Sequence, residues 1–317
     1  MKQFPSCRLP LFILTWLLIM LAGAIRAWAQ PQQRPVISQY MFSGLVINPA
    51  YAGNQKQTVF TALHRDQWVN FEGAPKTQTF LVNSALKEYP VGVGLLLSRD
   101  QIGSYNDYSV YASYAYRIAF KQNRGTLAMG IQGGFNYTAA DFSDLNKRDE
   151  LDPVFAQSLD RFKPNFGMGL FYSTQKSYAG LSIPFILQSD IYSYAEIKDN
   201  IDLQKARYLL LAAGHVFTLT DFIKLKPSTL LRLQQGQALS ADLNANVFLD
   251  DVLNIGLSYR SGDSLIGLFE LLLSPTISFG YSYDMTTSKV TQFTDGTHEF
   301  MLKYRRNLGK GPCHAYF

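Results

Sequence analysis

Cysteine is almost absent from this 317-residue chain, with Cys7 and Cys313 the only two. Charge is scarce as well. Asp, Glu, Lys and Arg make up 17% of residues, against roughly a quarter in an average globular chain, which is low for a surface bathed wholly in water. No long apolar run follows Ala24, and the mean hydropathy is −0.04, so a bundle of membrane helices is excluded. Of the four histidines, His64, His215, His298 and His314, no pair stands at HExxH spacing, and no metal site is expected. No GxSxG elbow occurs, and the glycines of Gly92-Val93-Gly94 and Gly167-Met168-Gly169 alternate within strand-like runs rather than forming a phosphate loop. The sequence therefore points to no catalytic, metal or cofactor-binding residue, and a non-enzymatic role is expected. What is plentiful is aromatic: 22 Phe, 19 Tyr and 3 Trp, which excludes disorder. A net charge of +5 over this length gives no footprint for nucleic acid.

Residues 1–29 read as a signal peptide. Lys2 and Arg8 form a basic n-region, Leu9 to Ala24 an apolar core, and Ala27-Trp28-Ala29 a small-x-small cleavage site before Gln30. Cleavage would remove Cys7 and leave Cys313 alone, so no intramolecular disulfide is expected. The acidic run Asp141, Asp144, Asp149, Glu150 and Asp152 matches no EF-hand spacing and reads as a solvated loop.

The rest of the chain alternates with period two. In 125–138, Leu127, Met129, Ile131, Phe135 and Tyr137 oppose Gly130, Gln132, Gly134, Asn136 and Thr138. In 237–249, Leu239, Ala241, Leu243, Ala245, Val247 and Leu249 oppose Ser240, Asp242, Asn244 and Asn246. Fourteen such segments are predicted between residues 57 and 305, most near the ~9–11 residues of a tilted membrane strand. Short connections (87–90, 120–124, 175–176, 219–221, 250–251, 274–275) alternate with others that include the long 99–106, 139–163, 184–205 and 284–296. One end thus carries tight turns and the other the elaboration, as in outer-membrane barrels. The expected fold is all-β: a transmembrane antiparallel up-and-down barrel over 57–305, its apolar face toward lipid and its polar face toward a lumen too wide for wall side chains to fill. Tyr105, Tyr108, Tyr137, Tyr172, Tyr178, Tyr259, Tyr283 and Tyr304 would supply aromatic girdles. The localisation expected is the bacterial outer membrane, with both termini periplasmic and a basic tail at 306–317.

Residues 30–56 differ. Gln39-Tyr40-Met41-Phe42 and Asn48-Pro49-Ala50-Tyr51-Ala52-Gly53 mix apolar and turn-forming residues, and proline and glycine forbid a regular strand. This segment should pack at the periplasmic mouth or as a plug in the lumen. Together with His64-Arg65-Asp66-Gln67-Trp68, Gly73-Ala74-Pro75-Lys76-Thr77-Gln78-Thr79, Lys224-Leu225-Lys226-Pro227-Ser228, Leu257-Ser258-Tyr259-Arg260-Ser261-Gly262-Asp263 and Gly280-Tyr281-Ser282-Tyr283-Asp284, it resembles the PorP/SprF family of the type IX secretion system. Family members often have Gly where Asn70 stands. The resemblance implies an outer-membrane barrel of Bacteroidota, active in type IX secretion and in some species gliding motility. The implied partners are membrane lipid, type IX components and a large secreted cargo (a gliding adhesin in some species) engaged through its C-terminal domain. Asn48, Pro49, Ala50, Tyr51, Ala52, Gly53, Arg65, Gln67 and Trp68 are the expected docking or architectural residues. The alternative reading is a porin or a channel for a hydrophobic solute; a third is an outer-membrane lipase.

Overall fold

The computed structural model describes residues 36–55, 57–121, 125–140, 159–187, 189–190, 204–205, 207–234 and 239–306. The predicted signal peptide, most of the acidic 139–163 connection and residues 307–317 lie outside them. Fourteen strands close into one antiparallel cylinder: β1 (Thr58–Asp66), β2 (Lys76–Ala85), β3 (Val91–Ile102), β4 (Tyr105–Ala119), β5 (Thr126–Ala140), β6 (Leu159–Ser173), β7 (Ser177–Ile183), β8 (Tyr208–His215), β9 (Ile223–Gln234), β10 (Ser240–Leu249), β11 (Leu253–Arg260), β12 (Ser264–Leu272), β13 (Ile277–Thr286) and β14 (Thr297–Arg306). Phe217–Thr218 continues β8 past Val216. Each strand pairs with its sequence neighbours, and β1 pairs with β14, so the ring of pairings closes. Closure is what lipid demands, since an unpaired strand edge has no water to satisfy it.

Side-chain alternation assigns the two faces. On β5, Met129 and Ile131 point outward and are exposed, while Ala128, Gly130 and Gln132 are buried. On β14, Phe300, Leu302 and Tyr304 are exposed, and Thr297, Glu299, Met301 and Lys303 are buried. The outward side chains are the greasy ones: Ile131 is 63% exposed, Leu257 62% and Phe162 62%. A water-soluble chain would have to hide such a continuous band; a barrel in lipid turns it to the acyl chains.

The mouths differ. At one, here the turn-side mouth, the connections are 86–90, 120–125, 174–176, 219–222, 250–252 and 273–276; Asp250 and Asp251 both take positive φ (52° and 53°) to close one of them. At the other, the loop-side mouth, lie the described connections 67–75 and 287–296. Four expectations need correction. The 139–163 connection is shorter at both ends, since β5 runs to Ala140 and β6 begins at Leu159. The stretch 99–106 is no long loop: β3 and β4 extend through it to a turn at Gly103-Ser104, with Asp100 paired to Asp107 and Arg99 donating to Asn106. Tyr178 is not a girdle residue, because it shares the inward face of Gly180 and Ser182 and stacks on Phe171. Tyr105 shares the inward parity of Asp107 and the fully buried Tyr111.

Candidate functional site: the occupied lumen

Residues 37–55 run inside the barrel as three single turns of 3-10 helix, Tyr40–Phe42, Gly44–Val46 and Pro49–Tyr51. Local chemistry sets them. Asn48 is extended (φ −151°, ψ 116°), its Oδ1 accepts from Ala50 N at 2.9 Å, and Pro49 follows with its φ already fixed. Gly53, at φ +72°, bends the chain toward β1 and donates its N–H to Asn83 Oδ1 at 2.6 Å. Ile37, Tyr40, Met41, Phe42, Leu45 and Tyr51 are all buried. Each large apolar side chain so hidden contributes about 1.5–3 kcal/mol. Their partners are Leu63, Leu81, Phe171, Leu230, Ile266 and Met301 on the wall. Wall and segment share one core.

The loop-side half is held by charge. Glu299 Oε2 and Oε1 accept from the backbone N–H groups of Ser38 (2.9 Å) and Gln39 (2.8 Å). Arg65 donates to Glu299 (3.1 Å), Asp284 (2.8 Å) and the Ser38 hydroxyl (3.0 Å). The Ser38 hydroxyl donates in turn to Asp284 at 2.7 Å. Beside this group, Asp242 takes both nitrogens of Arg232 at 2.7 Å and Arg260 Nε at 3.2 Å. Alternating signs around the wall let each buried charge find a partner, which burial requires. Tyr40 accepts from Asn244 Nδ2 at 2.7 Å; burial pushes its phenol well above the usual range, so it stays a neutral hydroxyl. Burial raises the Tyr51 phenol likewise, and Gln55 Nε2 donates to that oxygen at 3.2 Å.

The turn-side half is held by shape and main-chain contacts. Asn48 Nδ2 donates to the Leu170 carbonyl at 2.9 Å, Ser182 Oγ to the Ile47 carbonyl at 2.5 Å, and Arg117 Nη1 to the Ala52 carbonyl at 3.0 Å. A Cβ on Gly92 would come within 2.1 Å of the Ala52 oxygen, and one on Gly130 within 2.2 Å of the Ala50 nitrogen. These wall positions have no side chain because the segment's backbone occupies that space.

Of the residues expected from sequence, Asn48, Pro49, Ala50, Tyr51, Ala52 and Gly53 thus lie together in the turn-side half, and Arg65 in the loop-side half against Ser38. Gln67 and Trp68 lie beyond, in the 67–75 connection. Gln67 N donates to Pro75 O at 3.0 Å, and Trp68, at φ 51°, packs its ring edge-on to Phe71. Sequence reasoning missed Glu299, Asn83 and Arg117. A carboxylate inside an alternating strand, as in Thr297-His298-Glu299-Phe300, was the available signal. β1 starts and β14 ends at the turn-side mouth, where Thr58 pairs with Arg306; the termini themselves lie outside the described residues.

Chemistry is sparse. Among the described residues no group of three His, Cys, Asp or Glu could hold a metal. Ser177 Oγ lies 2.7 Å from His215 Nδ1, a cross-strand pair on β7 and β8. Among the described residues no carboxylate hydrogen-bonds to that imidazole, so the third member of a triad is missing. His298 Nδ1 is likewise paired, to Tyr281 at 2.8 Å.

The model of one protein family, the type IX secretion system membrane protein PorP/SprF, matches residues 29–304. No curated protein matches the chain. Among solved structures, similarity extends to the outer membrane protein Omp33 of Acinetobacter baumannii, at 8% identity and TM-score 0.43, over 80% of this chain and 99% of that one. A FadL homologue of Pseudomonas aeruginosa is 12% identical at TM-score 0.41, over 91% and 98%. CymD, a monoaromatic hydrocarbon channel, is 14% identical at TM-score 0.46, over 86% and 93%.

Proposed function

We propose, from the premise that this chain belongs to the PorP/SprF family of type IX secretion membrane proteins, that it is a sealed, non-enzymatic barrel that retains a large secreted cargo protein at the cell surface. The loop-side mouth faces outward and the turn-side mouth, where β1 begins and β14 ends, faces the periplasm, by the usual asymmetry of such barrels. The cargo engages through its C-terminal domain, as the family resemblance implies; a gliding adhesin is one cargo of that kind. The observation that carries this reading is the filled lumen. With residues 37–55 packed against the inner wall, the barrel offers surfaces and mouths to a protein partner rather than a conduit to a solute. A porin would need that space open.

Asn48 to Gly53, Arg65 and the buried Gln67 then serve architecture, while Trp68 stands at the outer mouth within reach of a partner. Affinity purification of the tagged barrel from detergent-solubilised outer membranes is expected to recover a cargo C-terminal domain or type IX components in near-stoichiometric amount. Recovery of neither, from membranes in which the cargo is displayed, would overturn the proposal.

A further inference from the structure

The wall of the lumen bonds the main chain of the segment it holds as well as its side chains. Five backbone groups of residues 38–53 are bonded to wall side chains from four strands: Ser38 N and Gln39 N to Glu299, Ile47 O to Ser182, Ala52 O to Arg117 and Gly53 N to Asn83. Where the backbone comes closest, at Pro49-Ala50 and Ala52-Gly53, the wall is bare glycine, Gly130 and Gly92. The residues seated there are small, and Ala50 and Ala52 are wholly buried. Charged hydrogen bonds to backbone N–H and C=O groups, with glycine floors between them, are the elements of a peptide-binding groove, closed here into a tube.

We infer that the inner wall is a receptor for a linear polypeptide segment, occupied in cis by residues 37–55. The ligand class is a peptide bound in part through its backbone: two adjacent N–H groups for Glu299, and small residues about a dozen positions later (Ala50 and Ala52 in the cis occupant) over Gly130 and Gly92. Tethering explains why the cis occupant is resident. Gly53 stands close in sequence to Thr58, where β1 begins, so the segment meets its site at the high effective concentration of an intramolecular ligand. The inference goes beyond the type IX reading. A negative result with purified barrel leaves that reading standing, and a cargo that fails to co-purify leaves the receptor standing.

The test uses the full chain with Ala50→Trp and Ala52→Trp, which enlarge the occupant and leave the wall untouched. Two indoles cannot seat over the glycine floors, so the segment is displaced. A fluorescent synthetic peptide with the sequence of residues 36–55 is then expected to bind saturably, one per barrel. It should bind at least tenfold more weakly to the unsubstituted chain, whose site is filled, and a peptide carrying both Trp substitutions should bind at least tenfold more weakly to the variant. Absence of saturable binding to a variant that still migrates as a heat-modifiable barrel would overturn the inference, as would equal binding of the two peptides. If that variant gives no folded barrel, Ser38→Pro with Gln39→Pro removes the two N–H donors to Glu299 without added bulk, and the same outcomes decide.

Discussion

Arg65→Met is expected to destabilise the folded barrel by about 3–5 kcal/mol, the usual cost of removing one partner from a buried ion pair. Arg65 is buried and its guanidinium bridges Glu299, Asp284 and the Ser38 hydroxyl. Met fills much of the volume but supplies no donor. Glu299 keeps the two N–H groups of Ser38 and Gln39 but loses its cation, and Arg260, 3.8 Å from Asp284, is already committed to Asp242. A buried carboxylate without a counter-charge is the costly outcome, more than any lost packing. Adding Glu299→Gln to Arg65→Met should recover part of the loss, because the amide removes the orphaned charge; the two changes are then non-additive. Urea titration of heat-modifiable migration measures both. A loss under about 1 kcal/mol for Arg65→Met, on the scale of an exposed pair, would contradict the account of the loop-side half.

Gly92→Leu combined with Gly130→Leu is expected to turn a silent barrel into a conducting one. Both Cβ atoms would sit where segment backbone now lies, 2.1 Å from the Ala52 oxygen and 2.2 Å from the Ala50 nitrogen. Backbone held at both flanks cannot step aside by the required ångström. The wall itself suffers little, since leucine on an inward strand position of an emptied lumen meets open space. The cheaper response is for residues 48–53 to leave, giving up the Tyr51–Phe171 edge contact at 5.4 Å and the Asn48 bonds. In planar bilayers the unsubstituted protein should give no discrete steps, whereas the double variant should give them together with new protease cleavage between residues 44 and 55. A double variant as silent and as protease-resistant as the parent would refute the glycine cradle.

Much of the fold could be read directly because one physical variable, the alternation of lipid-facing and lumen-facing side chains, runs through every strand. Segments such as Ser240–Leu249 and Ile277–Thr286 are nearly strict in it. Errors arose where polarity stopped meaning exposure to solvent. Arg99, Asp100 and Gln101 read as loop because they are polar, yet they continue β3 beyond the apolar band. Leu159 to Lys163 was missed for the same reason. Tyr178 was assigned to a girdle because a tyrosine near a strand end usually sits there; its parity with Gly180 and Ser182 was the better guide.

The site was only half legible. Asn48-Pro49-Ala50-Tyr51-Ala52-Gly53 announced turns that must pack somewhere, but nothing local says which of two mouths or which wall receives them. The partners are distant in sequence: Ser38 and Glu299 are separated by 261 positions. Gly92 and Gly130 looked like ordinary strand glycines, since a residue left out to admit another backbone carries no signal of its own.

The seating of the N-terminal segment is tested most directly by a cysteine pair at Ser38→Cys and Asp284→Cys, with Cys7→Ser and Cys313→Ser to remove the two native thiols. The two native side chains touch at 2.7 Å. Mild oxidation of intact outer membranes should join the introduced thiols nearly completely, giving a faster band on a denaturing, non-reducing gel, while Ser38→Cys alone should resist a water-soluble maleimide. A pair that stays reduced, together with a Ser38→Cys thiol that labels as fast as one on a free peptide, would place the segment outside the barrel, and the account of a sealed lumen would fail with it.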